Sequence, residues 1–138
     1  NRSPKTVTTQ DLIQAYYDAF NAADMPAFLA LLSDDVVHDI NQGERQVGKA
    51  VFAEFMDKMN RCYREQLTDM VIMVSADGSR AAAEFVVNGE YLADDEGLPP
   101  ANGQKYVLPA GAFFEVKDGK VARISNYYNL NDWVAQVC

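Results

Sequence analysis

The stretch LIQAYYDAFNAADMPAFLALLSDDVVHDINQG, from Leu12 to Gly43, constrains this chain more than any other. It reads as a long amphipathic helix, a short second helix and an apolar strand carrying the only histidine of the chain, His38. Ile13, Tyr16, Tyr17 and Phe20 repeat at i, i+3, i+4 and i+7, the spacing of one buried helix face. Thr8 or Thr9 is placed to cap that helix, and NAAD ends it. Asp24 then caps a second helix with Pro26 in its first turn, where a missing N–H costs nothing. Ser33 and the Asp34–Asp35 pair stop it, and VVHDI follows as a strand. Helix, helix, strand, with an acid beside the histidine, is how a small ligand-pocket domain begins.

Gly43 and Gly48 bracket a polar connection to a third helix over about 49–63, with Phe52, Phe55, Met56 and Met59 as its stripe. The remainder reads as strands over roughly 65–74, 80–92, 106–116 and 121–128. ADG and KDGK supply tight turns between them, Asp-Gly between apolar strands being a strong hairpin signal. ADDEGLPPANG reads as a plain hairpin connection that also has the length to cover a pocket mouth. Leu130, Trp133, Val134 and Val137 predict a short terminal helix. The expected architecture is one α+β domain over 1–138, three helices on one face of a curved, mostly antiparallel sheet. The gap between short helices and such a sheet is a natural apolar cavity.

A net charge of −8 argues against nucleic acid and against an anionic membrane surface as partner. No apolar run approaches the roughly 20 residues of a membrane span. NRSPKTVTTQ carries no hydrophobic signal core, so a cytoplasmic protein with Cys62 and Cys138 reduced is the expectation. One histidine and no cysteine cluster disfavour a zinc site. GxGxxG, GxxxxGK[ST] and HExxH are absent from the sequence, and no metal or cofactor is expected.

The text AYYDAFNAADMPAFLALLSDDVVHD, then GKAVFAEFM, then GAFFEVKDGKVARISNYYNL resembles the nuclear-transport-factor-2-like superfamily, in its ketosteroid-isomerase-like and SnoaL-like branches. The resemblance covers nearly the whole chain and implies a cone-like fold and a homodimer built through the outer face of the sheet. It is specific for fold and weak for function, because one fold carries many chemistries. Isomerases of the first branch combine a helix tyrosine and a protonated aspartate as oxyanion donors with an aspartate base. Matched without gaps, the tyrosine falls on Tyr16, the base on Ile40, the oxyanion aspartate on Gly111 and a supporting tyrosine on Met56. With both aspartates replaced, steroid isomerisation is rejected as the leading reading. A one-residue shift would bring Asp39 to the base position, but strand alternation puts Val36, His38 and Ile40 on one face.

His38 is the sharpest catalytic candidate, since an imidazole titrates near neutrality. The bland reading is a structural histidine bonded to backbone or a buried acid. Tyr16 is a hydroxyl donor or a core aromatic; Asp39 faces outward unless a bulge turns it to His38. Asn126 and Tyr128 share the inner face of the last strand and need polar partners there. Phe55, Met56, Met59, Phe85 and Phe113 are expected to line the cavity, methionines adapting to varied ligand shapes. Arg61, ending the third helix, meets either a ligand anion or solvent beside the helix dipole. Glu84, Val86, Asn88 and Glu90 belong to the outer sheet face.

Three functions remain open. The first is cofactor-independent acid–base catalysis on an apolar cyclic or carbonyl compound, of isomerase, dehydratase, hydrolase or cyclase type. The second is binding of an apolar small ligand without turnover, and the third a structural domain with a vestigial cavity.

Overall fold

The structure is a computed structural model that describes residues 8–138; residues 1–7, which carry most of the segment read for a signal core, lie outside them. Helix α1, Thr9–Asn21, opens on a capping box that settles which threonine caps it. Thr8 Oγ1 accepts from the Asp11 amide at 3.1 Å, and the Asp11 carboxylate accepts from the Thr8 amide. Helix α2, Met25–Ala30, is capped by Asp24, whose carboxylate takes the Ala27 amide at 3.1 Å. Helix α3 is Lys49–Cys62 and α4 is Leu130–Val137.

Six strands follow in chain order: β1 Leu32–Asp39, β2 Arg45–Val47, β3 Tyr63–Val74, β4 Arg80–Tyr91, β5 Lys105–Lys117 and β6 Lys120–Tyr128. They form one sheet in the order β2-β1-β6-β5-β4-β3. Every pair is antiparallel except β1 with β6, which run parallel with His38 opposite Ile124. The KDGK turn between β5 and β6 places both Asp118 and Gly119 at positive φ, as a two-residue hairpin of the favoured twist requires.

Two features depart from the sequence reading. Strand β1 begins at Leu32, because the Leu31 carbonyl accepts the Val121 amide at 2.9 Å and draws the chain into the sheet. An irregularity between Leu32 and Val37 then leaves Asp34 and Asp35 exposed. Within the polar connection, Arg45–Val47 pairs with β1 as a short edge strand, setting Gln46 opposite His38.

The core has two aromatic centres. Tyr16 and Tyr17 of α1 pack on Phe28 of α2, Phe85 of β4 and Phe114 of β5. Trp133 of α4 closes the other end against Tyr63, Tyr91 and Tyr106. Glu65, Gly89 and Tyr106 lie in register on three neighbouring strands. A β-carbon on Gly89 would fall inside the Tyr106 ring, so the missing side chain is what lets that ring cross β4. Gly89→Ala is therefore expected to lower stability by about 1–3 kcal/mol in chemical denaturation.

A candidate active site in the helix–sheet cavity

Helices α1 and α3 stand over the inner face of the sheet and leave a cavity of about 800 Å³. Its apolar walls come from Phe52, Phe55, Met56 and Met59 on one face of α3, and from Phe85 and Val87 of β4. Tyr16 also reaches the wall, its ring held 4.5 Å from Phe28 and 5.4 Å from Phe114.

His38 enters from β1, where alternation with buried Val36 points it inward, and it is only 2% exposed. Its ring stacks on Phe52 at 4.2 Å and meets the edge of Phe55 at 4.7 Å. Asn126 Nδ2, on the inner face of β6, lies 3.4 Å from His38 Nε2. Burial among these rings pushes the imidazole pKa below its usual value, opposed by the Gln46 amide and the Asp39 charge. At neutral pH His38 is therefore an uncharged ring, able to accept a proton.

Five buried side-chain polar atoms among the described residues have no partner in the protein. Four of them belong to cavity residues: Tyr17 Oη, His38 Nδ1, Asn41 Nδ2 and Gln46 Oε1. Groups left so cost stability unless water or ligand atoms meet them. Tyr17, a core residue by its place on the α1 stripe, lines the cavity with an unpartnered hydroxyl; burial drives its phenol pKa far up, so it stays a neutral donor. Gln46 gave no sequence signal, because its position opposite His38 exists only once β2 has paired.

Glu65 is the other unanticipated residue. It alternates inward with Tyr63 and Leu67 on β3, so an acid in an apolar period-two pattern was the readable clue. Tyr106 Oη donates to Glu65 Oε2 at 2.5 Å, and burial pushes the Glu65 pKa up against that bond.

Several expected site residues stand elsewhere. Asp39 lies on the opposite face of β1 from His38, held by Arg45 at 2.6 Å and by the Ser125 hydroxyl. Those contacts, the Arg45 hydrogen bond first, depress its pKa to about 2. The His38–Asp39 pair that a bulge would have made does not form. Phe113 is 52% exposed on the outer face against Tyr127, and its neighbour Phe114 is the buried one. Arg61 is exposed and away from the cavity, because helical spacing turns it off the stripe that carries Met56 and Met59. Gly111 borders the cavity, but its pleat position is the outer one; Ala110 and Ala112 point inward, and neither carries a carboxylate. Asn126 and Tyr128 do line the cavity, Tyr128 with its backbone amide on Asn41 Oδ1 at 3.3 Å.

As the only histidine, His38 gives a single imidazole in ¹⁵N NMR. The Asn126 amide nitrogen beside Nε2 predicts a neutral ring protonated at Nδ1, with an apparent pKa below the usual value of about 6.5. Because the fold disfavours the imidazolium, the stability it supplies is present above that value and falls as pH drops through it. His38→Gln should flatten this slope in denaturation measured from pH 8 to 5. The Asp39 contribution is separate, lost only as pH falls from the usual carboxylate range toward about 2.

Comparison with known proteins places the fold in a family. A search of the curated proteins finds no match. Among solved structures, a proposed polyketide cyclase of Pseudomonas putida is 74% identical over 96% of this chain and 100% of its own, with a TM-score of 0.96. One from Xanthomonas campestris is 56% identical over 94% and 96% of the two chains, with a TM-score of 0.91. A third, from a Silicibacter species, is 52% identical over 99% of both, with a TM-score of 0.93. The SnoaL-like domain family matches residues 13–124, and with most of the chain inside that match, the protein belongs to the SnoaL-like family of nuclear-transport-factor-2-like folds.

Proposed function

We propose that the cavity carries out cofactor-independent acid–base chemistry on an apolar cyclic or carbonyl compound, with His38 as the group that moves the proton. The observation that carries this reading is the cluster of buried polar atoms without protein partners around an uncharged His38 in an otherwise apolar cavity. In this scheme Nε2 takes a proton from a carbon or hydroxyl of the ligand and returns it to another atom of the same molecule. The Tyr17 hydroxyl and the Asn126 amide donate to the oxygen on which charge develops; each such donor is worth a few kcal/mol in a dry site. Tyr16, pressed into the aromatic core, holds the position of Tyr17. Polyketide cyclase is the proposed activity of the Pseudomonas, Xanthomonas and Silicibacter relatives, and ring closure through an enolate would call on a base and oxyanion donors of this kind.

A second reading, binding without turnover, is favoured by one observation: no carboxylate projects where steroid isomerases keep theirs, since Ile40, Ala110 and Ala112 occupy the inner face. A thermal-shift screen of apolar ring compounds and polyketide-like aromatics separates the readings. A ligand at a hundred times its dissociation constant stabilises the fold by about 2.7 kcal/mol. Catalysis by His38 requires that a hit be converted to product by the native protein and that His38→Gln slow the conversion at least about a hundredfold. Full conversion by the variant would remove His38 from the reaction, and ligand recovered unchanged from the native protein would establish the binder.

The outer sheet face fits a homodimer. Val71, Met73, Val107, Phe113 and Tyr127 expose apolar side chains there, more than half of Phe113 and Tyr127 being open. Phe113→Glu combined with Tyr127→Glu is expected to halve the mass measured by light scattering, and an unchanged mass would place any interface elsewhere.

A further inference from the structure

We propose that Glu65 is a second recognition point in the cavity, a carboxylic acid that donates a hydrogen bond from Oε1 to an uncharged acceptor oxygen, a ketone or ether, of the ligand. This rests on the reading of the cavity as a ligand site and adds to it a residue outside the His38 cluster.

Glu65 reaches the cavity from β3, the strand at the far edge of the sheet from the β1–β2 pair that carries His38 and Gln46. Its position is built rather than incidental. Gly89 leaves the gap through which the Tyr106 ring crosses β4, and the Tyr106 hydroxyl ends on Glu65 Oε2. Tyr106 is 2% exposed and wedged against Trp133, so the hydroxyl has little freedom to bond elsewhere. Oε1 has no hydrogen-bond partner among the described residues.

The charges around the carboxyl decide its state. Arg64 precedes it on the other face of β3 and pairs with Glu90. Lys58 of α3 pairs with Asp95 at 2.8 Å, and Tyr63 donates to the same carboxylate. Tyr128 of β6 and Glu96 at the cavity wall offer no cation. Glu65 thus stands without a countercharge, and burial holds its pKa up. With Oε2 occupied by the tyrosine, Oε1 is the oxygen that carries the proton in the protonated acid. An uncharged carboxyl meets a neutral acceptor well, whereas its ionised form would repel one and select an amine instead.

Three probes of one shape test this: acetylnaphthalene, isopropenylnaphthalene, in which a methylene group replaces the carbonyl oxygen, and naphthylethylamine. Their affinities are measured by titration calorimetry on the full chain, in the native protein and in Glu65→Leu and Glu65→Gln. The native protein should bind the ketone about tenfold tighter than the alkene at pH 4.5, where a carboxyl with a raised pKa is protonated. This preference should fall as pH rises through the Glu65 pKa, because only the protonated acid donates. Glu65→Leu should erase the preference while leaving alkene binding intact. Glu65→Gln, whose amide also donates, should keep a preference that no longer varies with pH. A ketone preference that survives in Glu65→Leu, or no preference in the native protein, overturns the assignment while the cavity reading stands. Tighter binding of the amine at pH 4.5 overturns it in favour of a carboxylate. Failure of all three probes to bind any variant removes the cavity reading and Glu65 with it.

Discussion

The pleat of the curved sheet decides what this cavity is. A strand offers alternate side chains to opposite faces, and a shift of one residue exchanges a buried set for an exposed one. On β1 that rule sends His38 into a cavity ringed by phenylalanines and sends Asp39, its neighbour, to Arg45 and Ser125 outside. The two side chains are adjacent in the chain and belong to different electrostatic worlds. One is stripped of solvent and loses its charge at neutral pH; the other is clasped by hydrogen-bond donors and keeps its charge far into acid. On β6 the same alternation gives Asn126 to the cavity and Ser125 to the outer network, where it bridges Arg123 and Asp39.

Much of this was legible beforehand, and where it was not the reasons are physical. Helix stripes, caps and Asp-Gly turns depend on neighbours within a few residues, so α1, α3 and the β5–β6 hairpin followed from local text. His38 faces inward because alternation over Val36, His38 and Ile40 is local too. Phe113 and Phe114 are adjacent and equally apolar, so the choice between them depends on counting the pleat from Tyr106 and Leu108 along a strand of 13 residues. Gln46 is a matter of pairing: nothing around it marks a strand, and only the edge of β1 makes it one. Glu65 was hidden differently. An acid in a strand is ordinarily read as surface, and the residues that bury it, Gly89 and Tyr106, lie on two other strands.

A cavity of this volume lined with orphaned donors and acceptors is a cost to the fold, and that cost bears on function. Each unpaired buried polar atom is worth about 1–3 kcal/mol of lost stability in mutational series, set against a total margin of roughly 5–15 kcal/mol. A chain built only to fold would fill the space with leucine and pair Gln46 and Tyr17 elsewhere. Here the expense is concentrated on one wall, at β1, β2 and α1, while the opposite end is closed by the well-packed Tyr63–Tyr91–Tyr106–Trp133 cluster. The aromatic end supplies rigidity and the His38 end supplies unmet hydrogen-bonding capacity. A preorganised site needs this division, since dipoles that are already oriented do not have to reorganise when a ligand develops charge.

The charges at the cavity wall limit what a ligand could be. The polar groups that reach the inner wall from the sheet include the amides of Asn126 and Gln46 and two side chains, His38 and Glu65, whose burial disfavours their charged forms. The cations at the rim, Lys58 and Arg64, are engaged by Asp95 and Glu90. A ligand carrying a full charge would enter this interior without a partner and bear the desolvation cost alone. A neutral molecule with oxygen functions and an apolar body would satisfy the orphaned atoms and the phenylalanine walls together. Proton transfer inside such a site would conserve overall neutrality if a base such as His38 and the donors facing the new oxyanion acted on one molecule.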